Sequence, residues 1–497
     1  MTMHGGRLMG MACAVFALAL ASQQTAFAAP ASAFGPEVKV GEATGSYIGA
    51  LDILPDHGKA GTPFTIKAEK LPPNQEFQLV WRTANGKWNV TDGGEYKGRV
   101  FTPVDYQMGK VKSDANGRFS ATFTTPDDFG FQHDIVLQQG SKLMTQVGYS
   151  IDMTVDISPK SGPVGTPITV SVKGIGSRSL YNSWDVIYDN NFTGWMSAVT
   201  THGDATFTIP ATGNVGDHII EVQHGALTFP YRNPLQNPAQ GRPLWAISFT
   251  VTAGAPILPP APEAQIQKTV RVLPPQLELV STPRFSGVGE PIKVSGAGLE
   301  PNKTYKLNWT RVIGSRVSGQ GWGESSIPAA EAKSDASGHV EFSFKTPDDL
   351  GGTHGIWIDN GGAKKLGIHY IKPAALPLDA KRGPVGTKFI LHLKGWGWTE
   401  TSNIIHVVYD NSYNGYACAF NSQGDIEIVV QATGAPGWHF IDLYPGIYKG
   451  AEPDPNLNNF RIPQLTYAAD HPGEDLPAFH FAFEVTPNGT VKQAQAR

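Results

Sequence analysis

The chain has 497 residues, 40% hydrophobic and 16% charged, with a net charge of −4 at pH 7. That length exceeds what one core serves, so about three or four domains are expected. The mild acidity and the lack of any basic run argue against nucleic acid or an anionic membrane surface as partner.

Residues 1–28 read as a secretory signal peptide. Arg7 supplies the positive start, a short apolar run follows, and Ala26-Phe27-Ala28 fits the small-x-small cleavage rule. No second hydrophobic span follows, so the mature chain is expected to be exported, periplasmic or extracellular, without a transmembrane segment. It keeps a single cysteine, Cys418, which rules out an internal disulfide and a Cys-based metal site.

From Leu51 onward the pattern is one of short alternating runs. Residues 62–68 and 117–124 alternate, and 76–81 ends on Trp81. Such runs, punctuated by Gly, Pro, Asn and Asp, signal antiparallel sandwiches. With 56 Gly and 38 Pro the composition suits them, because Gly supplies positive φ and Pro presets a turn. Further strands are expected at 168–172, 184–188, 205–209, 218–222 and 244–251. No useful stretch carries a helical apolar period.

The chain is a tandem duplication. Lys160-Ser-Gly-Pro-Val-Gly-Thr returns as Lys381-Arg-Gly-Pro-Val-Gly-Thr, a shift of 221 residues. Thr125-Pro-Asp-Asp128 returns as Thr346-Pro-Asp-Asp349, and Tyr188-Asp-Asn190 as Tyr409-Asp-Asn411. Between about 112 and 221 the match needs no gap. Trp81 answers Trp309 at a shift of 228 rather than 221, so the stretch between this Trp and Lys112 is seven residues shorter in the second copy, where it ends at Lys333. The expected order is unit A (48–152), unit B (153–253), a Pro/Ala-rich linker (254–271), unit A′ (272–372) and unit B′ (373–487). The linker reads as an extended, semi-rigid spacer. Each B unit ends in a long closing loop, 225–243 and 446–477, the second longer by 13 residues.

The segment Pro159-x-x-Gly-Pro-Val-Gly-Thr-Pro-Ile-Thr-Val170 with Gly174, repeated around Gly383 to Gly395, resembles the IPT/TIG-like immunoglobulin-like modules of exported bacterial proteins. The resemblance implies an all-β fold of four immunoglobulin-like sandwiches. It implies little about activity, since one fold hosts many functions.

Two constellations carry chemistry. In the B units, Tyr188, Asp189 and Asn190 with His218 and Glu221 recur as Tyr409, Asp410 and Asn411 with His439 and Asp442. A carboxylate beside a histidine suits metal binding or acid–base work. The same Asp-Asn pair also suits a strand-end turn whose side chains bond local backbone. The second constellation is aromatic: Trp195, Trp396, Trp398 and Tyr416 are concentrated in the B units, where rings could stack on sugars. They could equally fill the sandwich interior, as Trp81 and Trp309 do. Trp396 and Trp398 share a face if their segment is extended.

Hydrolase, phosphate-loop and dinucleotide signatures are missing, and no cofactor is implied. The first reading is therefore a non-enzymatic exported binding protein for a glycan or other surface polymer. Its ligand contacts would be Trp396, Trp398, Tyr409, Asp410, Asn411 and Tyr416, with Tyr188, Asp189, Asn190 and Trp195 in the first copy. A structural spacer or surface-assembly protein is the alternative. A metal-dependent hydrolase using the Asp and His positions is the third.

Overall fold

The computed structural model describes residues 34–42, 45–178, 181–225, 230–233, 235–236, 244–265, 277–315, 321–449 and 461–487. Residues 1–28, read from the sequence as a signal peptide, most of the first closing loop and linker residues 266–271 lie outside them. The described chain is almost wholly β, with one short helix, Pro262–Gln265. Among the described residues no helix is long and apolar enough to cross a membrane.

Strands form where side chains alternate between core and solvent, and residues Pro63–Glu69 and Pro167–Lys173 bury every second position. In unit B a three-stranded sheet (Thr154–Ser158, Pro167–Lys173, Ala205–Pro210) faces a five-stranded one. The five-stranded sheet runs Ser161–Gly162, Trp245–Val251, Gly216–His224, Trp184–Tyr188, Asn191–Met196. Units A and B′ repeat this three-plus-five immunoglobulin-like plan. In A′ the two layers are continuous, because Leu279 pairs with Gly367. Only glycine permits that approach: a Cβ at Gly367 would lie 2.6 Å from the Leu279 carbonyl oxygen. Four main hydrophobic cores follow in chain order, each built largely from one unit.

The repeated Gly-Pro-Val-Gly-Thr segment carries the chain from one layer to the other. Ser161–Gly162 pairs in parallel with the five-stranded sheet. The chain then turns, with the Thr166 hydroxyl donating to the Pro163 carbonyl (2.6 Å), and enters the three-stranded sheet at Pro167. In B′ the Thr387 hydroxyl donates to the Pro384 carbonyl at 2.7 Å.

One expectation needs correction. The ungapped match conceals a local slip. His133 pairs with Tyr149, whereas its counterpart His354 pairs with His369 and not with Tyr370. A bulge between Leu137 and Gln138 absorbs the extra residue in A, and A′ has none. The linker, expected as an extended, semi-rigid spacer, is packed against its neighbours. Its described part lies along B, with the Ile257 amide donating to the Val164 carbonyl (2.9 Å), and then docks on B′. There the Gln265 side-chain amide bonds both ways to the His480 backbone, at 2.7 and 2.6 Å. It stands in for a neighbouring strand.

Candidate functional site

The recurring Tyr-Asp-Asn segments are hairpin turns. Asp189 and Asn190 have φ of 47° and 67°, and Asp410 and Asn411 have 49° and 60°. Two successive positive φ values define the turn that matches strand twist, and after glycine Asn and Asp tolerate them best. Each aspartate then closes a clamp. Asp410 accepts from the Phe440 amide (2.9 Å) and from His439 Nδ1 (2.5 Å), while His439 Nε2 donates to the Ala435 carbonyl (2.8 Å). Tyr409 stacks on His439 and donates its hydroxyl to the Thr433 carbonyl. The first copy repeats every contact: Asp189 with His218 and the Ile219 amide, His218 Nε2 with the Asn214 carbonyl, Tyr188 over His218.

An imidazole that donates from both nitrogens is held as the cation. Burial works against that charge at His439, but the hydrogen bond and charge of Asp410 outweigh it, and its pKa is raised. Both ring nitrogens and both carboxylate oxygens are thus engaged within the fold. They tie the hairpin turn to the start of the next strand. Glu221 takes no part in this: it bonds Arg232.

The aromatic expectation also changes. Trp396 is fully buried in the B′ core, and residues 395–403 are irregular rather than extended, so Trp396 and Trp398 make no exposed flat pair. Trp195, 1% exposed, joins Trp88, Tyr96 and Ile447 in a cluster where A, B and B′ meet. Tyr188 is buried. Asn411 is buried too, and its amide reaches the Pro210 carbonyl (2.8 Å) of unit B, so this turn is part of a contact between the copies. Trp398, Tyr409, Asp410 and Asp189 are half-buried, while Asn190 and Tyr416 are exposed.

What the structure brings together instead is the second closing loop. Residues 461–478 cross the outer face of the B′ five-stranded sheet and dock against B. The Trp195 amide donates to the Pro463 carbonyl and the Leu465 amide to the Trp195 carbonyl, both 2.9 Å. Gly194 allows this approach, since a Cβ there would lie 2.7 Å from the Pro463 oxygen. Asp470 is the knot. Its buried carboxylate accepts from Trp88 Nε1 in A (2.8 Å), the Val199 amide (2.7 Å), the Thr200 amide (2.9 Å) and the Thr200 hydroxyl (2.8 Å).

Beneath the docked loop lies a cavity of about 270 Å³. The B′ sheet supplies Tyr444 and His480, the loop supplies Gln464 and Tyr467, the linker supplies Gln265, and A′ supplies Tyr370. Two of these residues are almost wholly buried and have a polar atom without a partner: the Tyr444 hydroxyl and Gln464 Oε1. Asp442, on the same sheet face as Tyr444, bonds His480 Nδ1 at 2.7 Å through one oxygen, and its other oxygen is unpartnered. Burial pushes the Asp442 carboxyl up, and it pushes the Tyr444 phenol up further, with Asp442 adding to the latter. Neighbouring His406, enclosed by the same loop, is held neutral by burial, its pKa lowered to about 3.

No protein-family model matches the chain, and no curated protein matches it. Among solved structures it is similar to a Salmonella alpha-2-macroglobulin variant at 12% identity and a TM-score of 0.19. That alignment covers 87% of this chain and 30% of the other, so the chain spans under a third of that protein's length. It is also similar to an ICAM-5 ectodomain fragment (10%, TM-score 0.16, covering 81% of this chain and 96% of that one). The four N-terminal Ig domains of Dscam1 match at 10% and 0.16, covering 89% and 100%. At such TM-scores these likenesses carry no argument. The sandwich architecture rests on this chain's own sheets, and the finer IPT/TIG resemblance gains no support from a family model.

Sequence reasoning missed Asp470, Gln464, His480 and Gln265. One signal pointed toward the first two: the 13 extra residues of the second closing loop, which mark where the copies diverge. Nothing local marked His480 or Gln265, because their roles depend on a strand edge and a linker meeting in space.

Proposed function

We propose that this chain is an exported, non-enzymatic binding protein that recognises a glycan or comparable surface polymer through its second B-type unit. The docked closing loop of B′, rather than the hairpin turns, is the recognition surface. The observation that carries this reading is the loop-roofed cavity, whose lining combines Tyr370, Tyr444 and Tyr467 with the polar side chains of Gln265 and His480. Ligand sites combine apolar walls with a few placed polar groups in this way, and scaffold-held loops commonly carry binding. The His–Asp pairs favour a structural role, because each ring nitrogen and each carboxylate oxygen already has a partner within the fold.

Co-sedimentation of residues 29–497 with insoluble polysaccharides and with isolated bacterial envelopes tests the reading. Retention with at least one polymer, competed by its soluble fragments, is expected. A second reading, a rigid spacer of a surface assembly, is favoured by the Asp470 knot between the copies. It predicts self-association and no polymer retained, and that pair of results would displace the binding reading.

A further inference from the structure

We infer that the last strand of unit B, Trp245–Val251, is a pairing edge, and that it pairs with the same strand of a second copy of this chain. The inference is independent of the binding reading, which such a dimer neither requires nor contradicts.

The first argument is where the backbone points. At the margin of the sheet the Thr250 amide donates to the Lys160 carbonyl (3.0 Å). The strand pairs with Gly216–His224 without a bulge, so hydrogen-bonding direction alternates along it. The amides and carbonyls of Ala246 and Ser248 therefore face the same margin, and there they have no partner among the described residues. The corresponding edge is covered in the other units. In A′ Leu279 pairs with Gly367, and the Ser281 hydroxyl donates to the Ile368 carbonyl at 3.1 Å. In B′ Gln265 bonds both ways to His480, the residue that matches Ala246. In A the Ile48 amide donates to the Met144 carbonyl at 2.7 Å. Each cover is supplied by chain at or before the start of its unit. Unit B has no such chain to spare, because only Asp152 and Met153 separate its first strand from the last strand of A.

The second argument is composition. Free edges are commonly protected by charged side chains. The last strand of A carries Lys142, that of A′ Lys364 and Lys365, and that of B′ Glu484. Residues 244–252 carry no charge at all. Trp245 and Ile247 pack on the core of B yet stay only half-buried.

The third argument is self-complementarity. Ser161–Gly162 occupies the margin at Thr250 and Val251, so the open stretch runs from 245 to 249 and is centred on Ile247. Two such strands, antiparallel about a two-fold axis at Ile247, set each Ala246 opposite the partner's Ser248 and satisfy every free group at once. Ile247 then meets its own counterpart at a non-hydrogen-bonded position, where side chains approach most closely. A two-fold contact closes on itself and yields a dimer, not a fibre. One strand pair buries less than a standard interface, so the dimer is weak and concentration-dependent.

The test is sedimentation equilibrium of residues 29–497 over a range of concentrations. The unmodified chain is compared with Ser248→Pro and Ala246→Lys. The proline removes an amide that the strand's own sheet does not use, and the lysine puts a charge at the seam. Both replaced residues are exposed, and circular dichroism and melting confirm that the variants fold. The expected result is a monomer–dimer equilibrium whose dissociation constant rises about tenfold or more in each variant. A chain that stays monomeric at every concentration overturns the inference, and slow exchange of the Ala246 and Ser248 amides in that monomer would show the edge to be covered in cis. A dimer that neither variant weakens also overturns it, since the contact would then lie elsewhere. Co-sedimentation with polymer, repeated on the variants, reads the binding proposal separately.

Discussion

Asp470→Asn removes one charge and one acceptor at the point where both copies converge, with almost no change in shape. Oδ1 now accepts from Trp88, the Thr200 amide and the Thr200 hydroxyl, and Oδ2 accepts from Val199. An asparagine with its oxygen at the first position sets its NH2 against the Val199 N–H. Flipped, it sets the NH2 against the donors gathered at Oδ1. Either way at least one buried donor is orphaned, at about 1–3 kcal/mol. The remaining bonds lose their charge assistance, which is roughly half their strength. The expected loss is about 3 kcal/mol, and Asp470→Ala should cost about 3–5 kcal/mol, as for breaking a buried charged network. Urea unfolding followed by tryptophan fluorescence reads it, because Trp88 and Trp195 both lie in this cluster. A loss below about 0.5 kcal/mol, the range of ordinary surface substitutions, would mean that the loop is not anchored here.

Two other outcomes follow. His369 is fully buried in A′ between the hydroxyls of Ser281 and Ser286, and burial, helped by His354, lowers its pKa to about 4. Above pH 6.5 neither state is protonated and nothing is lost; below it the unfolded chain takes a proton that the folded one refuses. A′ should therefore lose about 3 kcal/mol between pH 6.5 and 4. His369→Tyr, which installs the residue A carries at the equivalent place, should flatten that part of the pH–stability curve, and an unchanged slope would count against the assignment. Trp396 fills the B′ core, and its Nε1 has no partner. Trp396→Ala should destabilise B′ by about 3–5 kcal/mol, whereas Trp396→Phe should cost far less, as thermal melts can show. Equal costs would show that Nε1 matters after all.

The architecture was legible in the sequence because it is local. Alternation, turn residues and a repeated sheet-crossing segment are written along the chain, and the strands at 184–188 and 205–209 fall within a residue of where the pattern puts them. The slip at His369 was not, since a bulge shifts register without leaving a gap in the alignment. The functional reading erred where burial decides. Trp396 and Trp195 carry the same rings whether exposed or enclosed, and only packing between units separates the cases. Asp410 and His439 were correctly placed side by side in kind, but whether a pair is free or spent depends on carbonyls such as that of Ala435, which any residue supplies. The closing loops were singled out by length alone. That signal led to Asp470 and the cavity, because an insertion not needed to complete a sandwich has room to do something else.

Everything proposed for the cavity depends on the 461–478 loop being docked in the free protein. Amide hydrogen exchange on the intact chain measures this directly. The Leu465 amide, bonded to the Trp195 carbonyl, and the Trp195 amide, bonded to the Pro463 carbonyl, should be protected to a degree approaching that of the B′ core strands. Exchange of both at the rate of an unstructured peptide would mean an undocked loop, no enclosed cavity, and no basis for the site described here.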